Sequence, residues 1–328
     1  MTTGTQPRLQ PAVTGIVIAT LFACSMIPPA VASTVTWLRV NPVSSPSARS
    51  AMAMTYDPVS KKVVLFGGFD ANGYLNDTWV FDGSTWSQVS SPNAPSPRAA
   101  SAIACDRFDG RLVLFGGFDG SQYLGDTWIW DGATETWAEA TPITRPDPVT
   151  LPMMFTDPKT GHAAMFGGFD GSRYQFTTWR WSGRDWEDVH PATSPYARGA
   201  AIVANDFAHH TVVLYGGLAD VNPINTWTWD GTNWTLQNPS TQPDTVFYAP
   251  AAFDPALGEV VTFSGGSESS TTWAWTGTAW VIVPTDASPL GRESSGMAYD
   301  NDSKQLLIFG GDIPQGVLND TYKLVKRH

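Results

Sequence analysis

The sequence predicts an all-β fold, a closed ring of six four-stranded sheets. Three observations predict it. The first is a set of paired glycines: Gly67-Gly68, Gly116-Gly117, Gly167-Gly168, Gly216-Gly217, Gly265-Gly266 and Gly310-Gly311. Successive first glycines lie 49, 51, 49, 49 and 45 residues apart. A repeat of that length is a supersecondary unit that cannot bury its own apolar face, so it must pack on its neighbours. The second is composition. The runs between Gly and Asp punctuation are rich in Val, Ile, Phe, Trp and Thr, and no long stretch has helical periodicity. The third is that the two ends of the chain complement each other, one carrying a strand that the other lacks.

Residues 1–32 stand outside the repeats. Arg8 is their one charge, residues 12–27 are uncharged and largely apolar, and Pro28-Pro29 follows. Ala30-Val31-Ala32 before Ser33 has the small-x-small pattern of a signal-peptidase site. The reading is a signal peptide cleaved after Ala32, with a secreted, periplasmic or cell-surface protein and no membrane span in the mature chain. The apolar run falls short of the ~20 residues a span needs. An uncleaved anchor and lipidation at Cys24 are the alternatives. Residues 33–328 then form one domain, read as a monomer.

Each repeat reads as four strands. The first follows an Arg or Val and ends at Asp57, Asp106, Asp157, Asp206, Asp254 or Asp300. The second is apolar and runs into the glycines, which allow a sharp turn and close approach of a neighbouring backbone. The third begins at a Trp after Thr78, Thr127, Thr178, Thr226 or Thr272. The fourth carries another Trp after Asp82-Gly83, Asp131-Gly132, Ser182-Gly183, Asp230-Gly231 or Thr276-Gly277, pairs that supply the positive φ of a tight hairpin turn. From the fourth-strand Trp to the residue opening the next repeat is twelve residues every time, as in Trp86 to Arg98. Trp37 to Arg49 is also twelve, so the segment around Trp37 is a fourth strand without a first three. At the other end Thr321-Tyr322-Lys323-Leu324 is a third strand without a fourth. The expected sheets are 49–89, 98–140, 149–189, 198–237, 246–283, and 292–325 joined by 35–40. Closing a ring in this way protects sheet edges. The tryptophans, 15 in all, take repeat positions and are read as wedges between sheets.

These residues resemble the kelch repeat: Gly-Gly after an apolar strand, then an aromatic, then a Trp. The resemblance covers residues 34–328 and implies a six-bladed kelch β-propeller, with the first strand of each blade lining a central channel. Relatives include secreted sugar oxidases, a sialic-acid mutarotase and protein-binding scaffolds, so the fold by itself implies no single activity.

Composition narrows the partners. With 30 Asp plus Glu against 19 Lys plus Arg, the net charge is −11, which argues against nucleic acid. Cys105 is the only cysteine left after cleavage and reads as a buried, inert thiol. The five histidines lack metal-ligand spacing, and a copper-radical oxidase would need two His ligands and a Cys-linked Tyr at one site. No metal or other cofactor is implied.

In an up-and-down blade, the linkers between blades share one face with the loops between second and third strands. That face is the one to search. It gathers Arg49, Arg98, Arg198 and Arg292, with Val149 and Val246 in the remaining places. It also gathers Asp70, Asp119 and Asp170, each after a Phe, and Tyr74, Tyr123 and Tyr174. The arginines read as an anion-receiving ring or as blade-junction residues, and the aspartates as ligands or turn caps. The functional expectation is a non-catalytic propeller that binds a protein or glycan partner, anionic if the arginines receive it. The alternative is a sugar-modifying enzyme, mutarotase- or epimerase-like rather than oxidase-like, with Arg292-Glu293 as its candidate acid–base pair.

Overall fold

The computed structural model describes Met1 and residues 35–244, 247–263 and 270–326. The segment read as a signal peptide, Val246, and most of the fifth loop between second and third strands lie outside these. No helix is present among the described residues, and none is long and apolar enough to cross a membrane.

Six antiparallel four-stranded sheets form the ring, a six-bladed propeller. Blade 1 contains Ala53–Asp57, Lys62–Asp70, Gly73–Phe81 and Trp86–Val89, paired in chain order. Blades 2 to 5 repeat the plan. In blade 6, Gly296–Asp300, Gln305–Phe309 and Thr321–Lys326 are joined by Val35–Val40, which pairs Trp37 with Leu324. The first strands of successive blades pack side by side around the channel.

The second strands are the driest part of the chain. Val63 to Phe66, Leu112 to Phe115 and Leu306 to Phe309 have no exposed surface. Each junction between blades has its own apolar cluster, six junctions and six clusters. One hydrogen bond recurs at all six. The indole of each fourth-strand Trp donates to the Thr that opens the third strand of the preceding blade. Trp137 bonds Thr78, Trp186 Thr127, Trp234 Thr178, Trp280 Thr226, Trp37 Thr272 and Trp86 Thr321, at 2.9–3.0 Å. The closing junction is therefore built like the other five. Truncating one such buried ring to Ala typically costs about 3–5 kcal/mol.

The glycine pairs are required by a close approach. Gly67 and Gly68 both have positive φ, and a Cβ on them would lie 2.7 Å from the Arg98 carbonyl oxygen and 2.6 Å from that of Ser50. Gly68 donates its N–H to the Arg98 carbonyl of the next blade. Gly83, Gly183, Gly231 and Gly277 have the positive φ expected of them. Gly132 does not. In that longer turn the left-handed residue is Glu135, and Gly132 is instead pressed against the Asp57 carboxylate.

A second closed ring surrounds the channel. Ala51, Ala100, Leu151, Ala200, Tyr248 and Ser294 each occupy the left-handed region, with φ between 52° and 57°. Each donates its N–H to its counterpart in the preceding blade: Ala51 to Ser294, Ser294 to Tyr248, Tyr248 to Ala200, Ala200 to Leu151, Leu151 to Ala100, Ala100 to Ala51. The last bond closes the circle. Left-handed backbone at non-glycine residues is uncommon and persists where the surroundings impose it.

Candidate functional site

The channel has two mouths. The loop mouth is ringed by the blade linkers and the loops between second and third strands. The turn mouth lies at the opposite end, among the tight turns.

Sequence reasoning brought four arginines to the loop mouth. The structure places them inside the blades. Arg49 is 1% exposed, and Arg98, Arg198 and Arg292 are 0% exposed. Arg49 forks onto Asp77 at 2.5 and 2.8 Å, and Arg98 onto Asp126 at 2.6 and 2.7 Å. Arg292 pairs with Asp320 in the same way. The guanidinium groups also donate to the carbonyls of Gly67, Gly116, Gly216 and Gly310 within their own blades. Arg49 and Arg98 have no donor left for an outside anion, and burial closes off all four guanidinium groups. The expectation of an anion-receiving ring is therefore corrected, and so is the blade-junction alternative: the guanidinium groups lock onto partners inside their own blades. Burial alone would raise the carboxyls of Asp77 and Asp126, but the bonds and charge of their arginines outweigh it and hold both below the usual range. The locks have a sequence signal that was missed: the acid lies 28 residues after the Arg in all three pairs.

Blade 4 departs from this. Arg198 meets Asn225 instead of an acid, at 3.0 Å, and its second terminal nitrogen has no partner. Burial pushes this guanidinium down to about 10. Arg292, the first half of the candidate catalytic pair, is locked to Asp320 and is not available for acid–base work.

The three aspartates cap their own loops. Asp70 accepts the N–H of Asn72, Asp119 those of Ser121 and Gln122, and Asp170 those of Ser172 and Arg173. Backbone donation from Gln122 draws Asp119 down to about 2, and the Ser172 hydroxyl bond does the same for Asp170.

The tyrosines are brought together. Phe69, Tyr74, Phe118, Tyr123, Phe169 and Tyr174 form one unbroken arc over blades 1 to 3, with ring centres 4.9–6.0 Å apart at each step. Tyr74 and Tyr123 each reach the next blade. Gly120 and Gly171 leave room for Tyr74 and Tyr123, since a Cβ there would lie 2.7 and 2.4 Å from the ring. In blade 4 the corresponding residue is Asp220, whose charge adds to burial in raising the Tyr174 phenol. Phe69, Phe176 and Tyr196 are exposed on this face.

Beyond the arc, the mouth turns acidic. Glu293 and Asp312 exchange backbone hydrogen bonds at 3.0 and 2.8 Å. Burial raises both carboxyls. The Asp312 charge raises Glu293 further, while the hydroxyls of Ser50 and Ser294 partly restrain Asp312. The depression at this mouth is small, about 210 Å³, and lined mainly by Ala, Met, Ser and Pro.

The larger cavity, about 500 Å³, opens at the turn mouth, away from the face that sequence reasoning singled out. Cys105 lines it, and burial pushes its thiol up to about 12, so it is protonated and inert as a nucleophile at neutral pH. Around this mouth the first-strand aspartates cap their turns. Asp57 accepts from Val59 and Ser60, and also from the indole of Trp130 in blade 2. His162 and His209 bind Asp106 and Asp206, respectively. Among the described residues no three His, Cys, Asp or Glu side chains group as a metal site would require.

A six-sheet ring locked by repeated Arg, Gly-Gly and Trp residues defines a repeat-built propeller, and the comparisons with known proteins agree. The family described as KLHDC2/KLHL20/DRC7 Kelch-repeats domain matches residues 30–217, more than half of the chain. The chain belongs to the kelch-repeat family. The solved structure of YjhT is similar, with a TM-score of 0.66 and 17% identity, covering 88% of this chain and 99% of that one. At that identity the likeness concerns the fold. No curated protein matches the sequence. In all, 430 chains of solved structures match, so the architecture does not select one activity.

Proposed function

We propose that this kelch propeller is an exported, non-catalytic binding module that takes a protein or glycan partner on its loop mouth. The observation that carries the reading is the aromatic arc from Phe69 to Tyr174 beside a shallow depression. Enzyme and cofactor pockets usually enclose about 300–1,000 Å³, and this mouth offers about 210 Å³. A broad shelf of half-exposed rings suits a large partner, because aromatic anchors bury much surface at little entropic cost. Export is supported by the leader-like residues 1–32.

The test is binding to glycan and protein arrays by the native protein and by a Tyr74→Ala/Tyr123→Ala variant. The expected result is a defined ligand that the variant binds at least about tenfold more weakly, as hot-spot truncations do, with melting little changed. Undiminished binding by the variant would move the site elsewhere.

A second reading is favoured by Glu293 and Asp312, two carboxyls raised above their ordinary values at the same mouth, close enough to Tyr248 for Glu293 to raise its phenol. Such groups suit the positioned acid and base of a sugar mutarotase or epimerase. NMR of sugar anomerisation separates the two. Acceleration lost in Glu293→Gln would support the enzyme, and no acceleration over the uncatalysed rate would leave the binder.

A further inference from the structure

The turn-mouth cavity lies at the other end of the channel from the proposed loop-mouth site. All six blades line it, and its two sides differ. On one side stand Tyr56, Tyr299, Phe253 and Phe207, from blades 1, 6, 5 and 4. On the other are Cys105, Thr156, Asn205 and Arg107, whose guanidinium is turned onto the Phe207 ring across the cavity. Thr156 and Asn205 each spend their polar atoms on the strand of the preceding blade. The Asn205 amide bonds the Thr156 backbone at both N–H and carbonyl, and the Thr156 hydroxyl donates to the Cys105 carbonyl. The floor is Met54, Ile103, Met154, Val203 and Met297.

The charges behind the walls are also divided. On the polar side Asp157 pairs with the Arg180 guanidinium, while Asp106 and Asp206 bond the imidazoles of His162 and His209. On the aromatic side, Asp57 and Asp300 take neutral donors, from the backbone, Ser60, Ser303 and Trp130. Their negative charge sits directly behind Tyr56 and Tyr299. It shows in the phenols. Both are raised, by burial first, then by Asp300, Asp302 and Asp57 for Tyr56, and by Asp254 and Asp300 for Tyr299.

We propose that the turn mouth is a binding site for a small organic cation of the quaternary-ammonium type, seated against Tyr56, Tyr299 and Phe253. Aromatic faces attract cations through the ring quadrupole, and carboxylates behind those rings deepen the negative potential. This wall already holds one cation. The Arg107 guanidinium sits 4.8 Å from the centre of the Phe207 ring, which packs edge-on to Phe253 at 5.5 Å. The cavity also discriminates between cations. No carboxylate oxygen lines it, so a strongly hydrated metal ion or primary ammonium would shed water without replacement. A quaternary ammonium holds its water weakly and needs no hydrogen bond, and its methyl groups suit the Met floor. The overall charge of −11 favours its approach.

Isothermal titration calorimetry of the intact protein tests this with choline, tetramethylammonium, methylammonium and 3,3-dimethylbutan-1-ol, the uncharged isostere of choline. The two quaternary ions are expected to bind in a one-to-one ratio. The isostere and methylammonium should each bind about tenfold more weakly, the size of a desolvated cation–π contact. Tyr56→Leu and Tyr299→Leu should each cost choline about tenfold, and Tyr56→Phe should cost little, because the ring remains. Tyr123→Ala, on the other mouth, should leave choline binding unchanged. The proposal fails if choline does not bind at millimolar concentration, or if the isostere binds equally well. It fails too if Tyr299→Leu retains full affinity. Should either Leu variant not fold, the comparison of choline with its isostere on the native protein still decides.

Discussion

Blade 2 and blade 4 open on the same residue and complete its contact differently. Arg98 forks onto Asp126 and gives its remaining terminal hydrogen bonds to the Gly116 carbonyl and the Ser96 hydroxyl. Arg198 finds one amide oxygen of Asn225, with two backbone carbonyls, and one terminal nitrogen stays unmatched. Both arginines are fully buried. The comparison shows that the lock is a pair, since a buried guanidinium stabilises a blade only as far as its charge is answered. The repeats carry the same rule. Blades 3 and 5 open on Val149 and Val246, and the residue before their third-strand Thr is Thr177 or Thr271, not an acid. Blades 1, 2 and 6 have both halves of the lock, blades 3 and 5 have neither, and blade 4 has one.

The largest effect expected from this contrast is in paired truncations. Arg98→Ala removes the cation and leaves Asp126 with its charge in a mostly buried site. Breaking a buried pair costs about 3–5 kcal/mol, and the partial exposure of Asp126 places the loss near the lower end, about 3 kcal/mol. Arg198→Ala removes a charge that is costly to bury, so its loss should be clearly smaller. Urea denaturation of the two variants measures the difference. Equal losses would show that packing of the long side chain matters and the charge pairing does not.

Smaller changes convert one blade into the other. Asp126→Asn turns blade 2 into a copy of blade 4 and should cost about 2 kcal/mol, the worth of a hydrogen bond to a charged group. Asn225→Asp completes the lock in blade 4 and should stabilise it by about 1 kcal/mol. That corresponds to a rise in melting temperature of about 2 °C for a chain of this size. A lower melting temperature for Asn225→Asp would mean that the loop around Pro223 cannot seat a second charged oxygen.

The sequence made the ring legible but hid what fills it. Spacing alone put Trp37 in the last blade, because packing positions must recur at a fixed distance. The Arg–Asp locks are equally open to counting, with a constant offset of 28. Position in a repeat gives an arginine a face but carries no depth. The aromatic arc was half visible, in Tyr74, Tyr123 and Tyr174, while their fit against Gly120 and Gly171 needs coordinates. The turn-mouth cavity had no signal. Its wall is built from the residue before each first-strand Asp, and those residues are Tyr56, Cys105, Thr156, Asn205, Phe253 and Tyr299. Five residue types over six repeats look like loss of pattern in a sequence and become a lined cavity only when the ring closes.

The smallest effect separates charge from shape in the lock. Asp126 is held below its ordinary value of 3.8 by Arg98, against the upward push of burial. A carboxyl depressed in the folded state contributes stability that is present above its unfolded pKa and lost as pH falls through the folded one. The stability difference between the native protein and Asp126→Asn should therefore be constant from neutral pH down to about 3.8, then shrink as the medium is acidified further. Other acids that titrate low, such as Asp119 and Asp170, are unchanged in the variant, so their contributions cancel in the difference. Blade 4 provides the control. Its lock has no carboxyl, so the difference between the native protein and Asn225→Ala should not vary over the same window. Urea midpoints at a series of acidic pH values measure both differences. If the Asp126→Asn difference stays flat down to the acid limit of folding, the Arg98–Asp126 contact is holding shape and its charge contributes nothing.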